Sequence, residues 1–276
     1  LLDSIKVSII TACFNSKETI EQTIVSVINQ TYTNLEYIII DGGSIDGTLE
    51  VIKKYQSKIA YFISEPDNGI SDAWNKGLKK ATGDIIGIIN SDDWYEEDAV
   101  TKAVTALKDS PQAGFVFGDM NFVGPQDEIM YVQKGDPFYK NIIVKQLPSI
   151  PHPTVFVKKS VYDEFGGFDC NNHSCMDYEF LLRSTIKGTE GIYIPVIQAN
   201  MRLGGESDRN YIRCYKEGMQ ASISYGYNPL KAKIRFYLIC FKTFMRKFFQ
   251  RNRLYLIIRL YRTFFNKRYR YIVKSK

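Results

Sequence analysis

The sequence predicts an α/β protein with a mostly parallel central sheet. Short β-branched runs at 6–12, 35–40, 59–63 and 85–89 alternate with segments of helical period, the pattern of consecutive βαβ units. Each run also ends in polar or acidic residues: Asn15, then Asp41, then Glu65 and Asp67, then Asp92 and Asp93. Ligands of open α/β sheets bind in the crevice outside the carboxyl ends of the strands. These ends therefore predict one shared pocket.

Each element has its own local cause. After the first strand, Asn15-Ser16-Lys17-Glu18 has capping-box spacing, and Ile20, Ile24, Val27 and Ile28 form one apolar helical stripe. Asp46-Gly47-Thr48 caps a helix running to about Tyr55, and Ser71 caps one ending at Thr82-Gly83. The run Ile85–Ile89 reads as a strand buried on both faces. Adjacent carboxylates follow it at Asp92 and Asp93, which repel each other unless a cation or a ligand shares them. A helix from Glu96 to about Lys108 and a strand at Phe115–Gly118 complete this half. Residues 121–157 read as shorter, antiparallel strands and loops. Helices are expected at Val161–Phe165, Met176–Ile186 and 208–225, with strand-like pieces around Pro195.

Charge is distributed unevenly. Of 36 basic residues, 15 lie in residues 231–276, which contain no Asp or Glu; the first 230 residues keep 21 basic against 30 acidic, a net −9. An acidic body with a basic tail differs from a uniformly basic protein. On a helix after Pro229, Arg235, Lys242, Arg246 and Arg253 fall on one face, with Tyr237, Phe241, Phe244 and Phe248 opposite. Beyond Asn252 a second stripe sets Arg251, Arg259 and Arg262 against Ile257, Leu260, Tyr261 and Phe264. The longest apolar run there, Phe236–Phe241, is too short to span a bilayer. Basic amphipathic helices lie in the interface of anionic membranes, and each basic residue near such a leaflet contributes about 1 kcal/mol. Nucleic acid is not the expected partner, because no binding motif is present and the acidic body opposes it. The five scattered cysteines predict a reducing compartment. Cys170, His173 and Cys175 lack the paired spacing of a zinc site. Leu1-Leu2-Asp3-Ser4 leads straight into a strand, so no signal peptide is expected here.

Over roughly residues 5–210 the chain resembles the family 2 glycosyltransferases of the GT-A fold. The resemblance is carried by Thr11-Ala12-Cys13-Phe14-Asn15, by Asp41-Gly42-Gly43-Ser44-Ile45-Asp46-Gly47-Thr48, by the run from Glu65-Pro66-Asp67-Asn68-Gly69 to Trp74-Asn75-Lys76-Gly77, and by Asn90-Ser91-Asp92-Asp93, in that order. It implies a Rossmann-like GT-A fold, inverting transfer of one sugar from a UDP-sugar, and a Mg²⁺ or Mn²⁺ ion. In that pattern Asp41 takes the uracil imide N–H, Thr11, Ala12 and Asn15 line the base and ribose, and Asp67, Asn68 and Lys76 form the adjoining wall. Asp92 contacts the ribose and Asp93 binds the metal. The general base falls at Asp177 in Cys175-Met176-Asp177-Tyr178-Glu179, where Met176 replaces one of two adjacent acids; a plain helix N-terminus would also favour an aspartate there. His152 matches a histidine that binds acceptor phosphate or completes the metal shell, although the flanking prolines also suit an ordinary loop. Arg202 matches a loop over the diphosphate.

The expected division is a nucleotide-sugar half at residues 1–120, an acceptor half at 121–228 and a membrane-association tail at 229–276. The expected setting is the cytoplasmic face of the cell membrane, with a membrane-presented or lipid-linked glycan as acceptor. A nucleotidyltransferase shares such a sheet but wants a glycine- and basic-rich first loop, which Ala12-Cys13-Phe14-Asn15 is not. A catalytically silent sugar-nucleotide-binding protein would tolerate loss of Asp93 or Asp177.

Overall fold

Seven consecutive buried residues, Val7–Cys13, form β1 near the middle of the sheet. The computed structural model describes residues 4–145, 150–251 and 269–271. After β1 come α1 (Ile20–Ile28), β2 (Leu35–Asp41), α2 (Thr48–Lys53), β3 (Tyr61–Ser64), α3 (Ile70–Lys80), β4 (Ile85–Ile88), β5 (Trp94–Tyr95) and α4 (Ala99–Asp109). The second half holds β6 (Ala113–Val123), β7 (Ile129–Gln133), β8 (Phe156–Lys158), α5 (Lys159–Phe165), α6 (Met176–Ile186), β9 (Glu190–Arg202), α7 (Glu206–Arg209), α8 (Tyr211–Ser224), α9 (Pro229–Arg251) and β10 (Tyr269–Tyr271).

Neighbouring strands run in the order β10-β7-β6-β8-β4-β1-β2-β3, and β9 lies along β6. β1 is parallel to β2 and to β4, and β2 is parallel to β3. The carboxyl ends of these strands therefore share one edge. The order turns back between β1 and β4, so the topological switch point lies at that edge. β8 runs antiparallel to both β4 and β6, β7 runs antiparallel to β6, and β9 is parallel to β6.

Side chains alternate across each strand and build a core on each face. Ile10, Ile38, Ile86 and Ile88 pack with Trp74 and Phe180 on one side. Ile9, Ile39, Ile85 and Ile89 pack with Ile24 and Val104 on the other. Each such isoleucine contributes about 1.5–3 kcal/mol by leaving water. These strands had to be apolar throughout because helices cover both faces.

Several local expectations need correction. Asn15 adopts φ 48° and its side chain accepts the Ile45 N–H, while α1 starts later, after Thr19, with no side-chain cap. The run Asn15–Glu18 is therefore a loop brace and not a capping box. Ser71 lies inside α3 and donates to the Asn172 carbonyl, so it ties α3 to the loop before α6 and caps nothing. Asp46 accepts the Thr48 N–H at 3.0 Å from just ahead of α2, whose N-cap position is Gly47 and has no side-chain cap. The pieces around Pro195 form the single strand β9, whose register against β6 shifts between Phe117 and Asp119. Such an irregularity accommodates a residue with no N–H to give. Among the described residues the expected helical tail contains α9 and also the strand β10, which pairs antiparallel with β7. The second stripe expected beyond Asn252 lies outside the described residues.

Glu36 pins β1, β2 and the α3–β4 connection together. Its carboxylate accepts hydrogen bonds from Lys6 Nζ (2.6 Å), Ser8 Oγ (2.6 Å), and the Thr82 Oγ1 and N–H (2.7 and 2.8 Å). Burial pushes this acid up, but those donors outweigh it and hold it at about 2, below its ordinary 4.5. An acid held low in the folded state adds stability above its unfolded value and loses it as pH falls through the folded value. Glu36→Ala is expected to cost about 2–3 kcal/mol at pH 7, measured by urea unfolding. The penalty should shrink as the pH is taken from about 4.5 toward 2.

Candidate active site

The loops after the four parallel strands are bonded to one another at the shared edge. The Asn15 N–H donates to Ser44 Oγ (2.7 Å) and the Ser16 N–H to Thr48 Oγ1 (2.8 Å), which ties the β1 loop to the β2 loop. Ser16 Oγ lies 2.7 Å from Ser91 Oγ and bridges the switch point to the β4 loop. Ser64 Oγ donates to Asp41 Oδ2 (2.6 Å) and brings in β3.

Asp41 is the hub of this bracing. Its carboxylate accepts the Gly43 and Ser44 N–H groups, the hydroxyls of Ser44 and Ser64, and the Cys13 thiol. It has no exposed surface. Burial raises it, and the Ser44 and Ser64 donors bring it below the ordinary aspartate value. Thr11 is likewise buried, its hydroxyl 3.1 Å from Tyr37 Oη, and Ala12 is 8% exposed. The partly open acid on this side is Asp67. Its Oδ1 accepts the Gly69 N–H (2.8 Å), and its Oδ2 would stand 2.7 Å from a Cβ on Gly42. Glycine at 42 is what lets this carboxylate lie across the β2 loop. Asn68 is exposed, and Lys76 braces the β3 loop through Glu65 (2.8 Å) and the Pro66 carbonyl (3.3 Å).

At the end of β4, Asp93 is 1% exposed. Its Oδ1 accepts the Arg202 N–H (3.1 Å), while its Oδ2 is buried without a hydrogen-bond partner. Burial first, and then the charge of Asp92, push Asp93 well above the ordinary aspartate value. Burial raises Asp92 as well, against the opposing charges of Arg202 and Arg209. Gly205 leaves room here, since a Cβ on it would stand 3.3 Å from Asp92 Oδ2. The guanidinium expected to grip phosphate is committed elsewhere: Arg202 bonds Asp127 Oδ1 and Gln22 Oε1 (both 2.5 Å) and lies over the Trp94 ring (5.1 Å). Arg209 is exposed, and its Nε donates to the Gly204 carbonyl (2.9 Å). It follows a glycine turn and no sequence pattern marked it.

Among the described residues, no three His, Cys, Asp or Glu side chains are grouped to hold a metal. Two adjacent carboxylates, one with an orphaned buried oxygen, still suit a hard divalent ion that keeps waters and shares substrate phosphates.

Asp177 stands in the first turn of α6. With His152, Ile88, Tyr162, Phe168 and Phe180 it lines a small recess. Among the described residues no donor bonds its carboxylate. The next acid behaves differently: Glu179 accepts from Arg183 Nε and Tyr225 Oη (both 3.0 Å) and is part of the packing. His152 stacks on Trp74 (ring centroids 4.8 Å apart, 17° between planes). Burial pushes its imidazole down and the Asp177 charge opposes that. Trp74 supports this wall with its indole Nε1 buried and unpaired. Its role was hidden in the sequence because a tryptophan on a polar helix signals burial and not a stacking partner. Asn75 fastens α3 to the loop ahead of α6, giving to the Phe168 carbonyl and taking the Phe168 N–H, each at 2.8 Å.

The model of the family described as "Glycosyl transferase family 2" matches residues 8–165, from within β1 to the end of α5, and takes in the acidic turn. The chain belongs to glycosyl transferase family 2. An uncharacterized glycosyltransferase of Mycobacterium tuberculosis is 33% identical to this family 2 chain over 184 residues, covering 65% of this chain and 69% of the relative. The crystal structure of S. aureus TarS 1–349 with UDP-GlcNAc superposes with a TM-score of 0.60 at 15% identity, over 84% of this chain and 70% of that one. Against the longer TarS chain the coverage is 41% of its length. The mannosyltransferase PcManGT from Pyrobaculum calidifontis, solved with GDP-Man and Mn²⁺, gives a TM-score of 0.64 at 20% identity, over 84% of this chain and 68% of that one. At these identities the solved structures support the GT-A-like fold alone.

Proposed function

We propose that this family 2 glycosyltransferase moves one sugar from a UDP-sugar to a membrane-presented or lipid-linked glycan, with inversion at the anomeric carbon. The observation that carries the reading is the acidic turn. Asp93 Oδ2 is buried, unpartnered and beside a second carboxylate at the switch point of the sheet. That arrangement is costly without a cation.

Residues 1–120 form the nucleotide half in this reading and residues 121–228 the acceptor half. Asp93, with Asp92 beside it, would hold Mg²⁺ or Mn²⁺. When bound, the ion neutralises charge on the leaving diphosphate. Asp67, Asn68 and Asn15 surround the base and ribose, and Asp41 keeps their loops in place from below. Asp177 takes the proton from the acceptor hydroxyl, for which its carboxylate is free. His152 shares the recess with Asp177 and is assigned to the acceptor side, next to the base. Arg202 holds the Asp93 turn in position through its N–H.

Calorimetric titration with UDP and GDP, each with and without Mn²⁺, tests the proposal. Mn²⁺-dependent binding of UDP over GDP, with UDP release from one member of a UDP-sugar panel, is the expected result. Preference for GDP overturns the donor assignment, and indifference to both nucleotides and to the ion overturns the enzyme reading.

A further inference from the structure

The structure sets which residues of α9 face the protein and which face outward. Of the expected basic stripe, Arg246 turns toward α7, its Nη2 donating to Asp208 Oδ1 (2.8 Å), while Lys242 stays exposed; Lys247, outside that stripe, places its Nζ 4.8 Å from the Tyr211 ring centre. Arg235 lines the groove between α8 and α9. Tyr215 Oη lies 3.0 Å from Thr243 Oγ1 and completes the seam. The face left outward is apolar. Leu230, Ile234, Tyr237, Leu238, Phe241 and Phe244 are each 53–69% exposed. Except for Leu238 they are spaced alternately four and three residues apart, one continuous stripe along the helix. Exposed apolar area of this extent on one element marks an interaction surface.

Charge decides what covers it. Lys231 and Lys242 stand exposed along one edge of the stripe and Lys233 along the other, and α9 contains no acidic residue. A second copy of the helix would bring these lysines against each other. A layer of anionic headgroups would neutralise them while their stems lie along the apolar surface. No helix among the described residues is long and apolar enough to cross a membrane, so a bilayer would meet α9 along its side.

We infer that the outward face of α9 docks on an anionic lipid bilayer by inserting its aromatic and aliphatic side chains, with the flanking lysines at headgroup level. The inference deepens the membrane-presented-acceptor part of the reading above. Its test uses neither donor nor acceptor, so the two can fail separately.

The experiment is flotation of the full chain with vesicles of phosphatidylcholine alone or with phosphatidylglycerol added. Wild type is expected on the phosphatidylglycerol vesicles. The Phe241→Glu/Phe244→Glu variant should lose at least about tenfold in vesicle affinity. Both positions are exposed, so UDP titration and circular dichroism should be unchanged. The milder Phe241→Ala/Phe244→Ala variant should show an intermediate loss. Equal partitioning of wild type and both variants overturns the proposal. So does a wild-type dimer that becomes monomeric on the same substitutions, because a second copy would then own the face.

Discussion

Asp93→Asn is expected to cut sugar transfer sharply and at the same time to raise the melting temperature at neutral pH. The carboxylate is buried with one oxygen unpartnered, and both burial and Asp92 favour its protonated form. An acid whose folded value lies above its unfolded value makes the protein less stable as pH rises from the ordinary 3.8 through the raised value. Asparagine keeps the shape and removes the charge, so that pH-dependent loss should disappear. Mn²⁺ should stabilise wild type by mass action and leave Asp93→Asn unmoved. Turnover should fall by about 10²–10³-fold or more, the usual scale for removing charge stabilisation from a transition state. Thermal melts from pH 5 to 9, with and without Mn²⁺, check this independently of any acceptor. A variant no more stable than wild type, together with a wild type blind to Mn²⁺, would remove the acidic turn as the cation site.

Asp177→Asn should lower kcat by about 10²–10⁴-fold, the range for loss of a general base. UDP affinity should stay as in wild type, because the recess holding Asp177 is lined by residues of β4, β8, α5, α6 and the loops carrying His152 and Phe168, and not by the loops around Asp41 and Asp67. Glu179→Gln serves as the contrast. It loosens the contacts to Arg183 and Tyr225 and should therefore lower stability before it lowers turnover. If Glu179→Gln carried the catalytic loss and Asp177→Asn did not, the base would have been placed on the wrong acid.

Spacing alone told these two acids apart only by helix face. In the structure the difference is one of partners, which depend on the C-terminal end of α8 meeting the side of α6. Arg202 teaches the same lesson from the other side. A guanidinium near a glycine pair suggests a phosphate grip, but Asp127, Gln22 and Trp94, all distant in sequence, occupy it. The strand ends were legible because a parallel sheet forces its carboxyl termini to one edge. Which residues there face inward was not, and Asp41 is saturated by its own loop together with Ser64 of β3 and Cys13 of β1.

The sequence by itself determined the parallel half of the sheet and the family, because apolar runs and the glycine and aspartate turns between them are local and ordered along the chain. It also determined that a basic, aromatic-rich tail follows an acidic body. Only the tertiary structure decided which carboxylate is left with an unpartnered oxygen, which is already satisfied, and which face of α9 looks outward. Burial and hydrogen-bond partnership are properties of surfaces brought together from remote segments, and no local pattern encodes them.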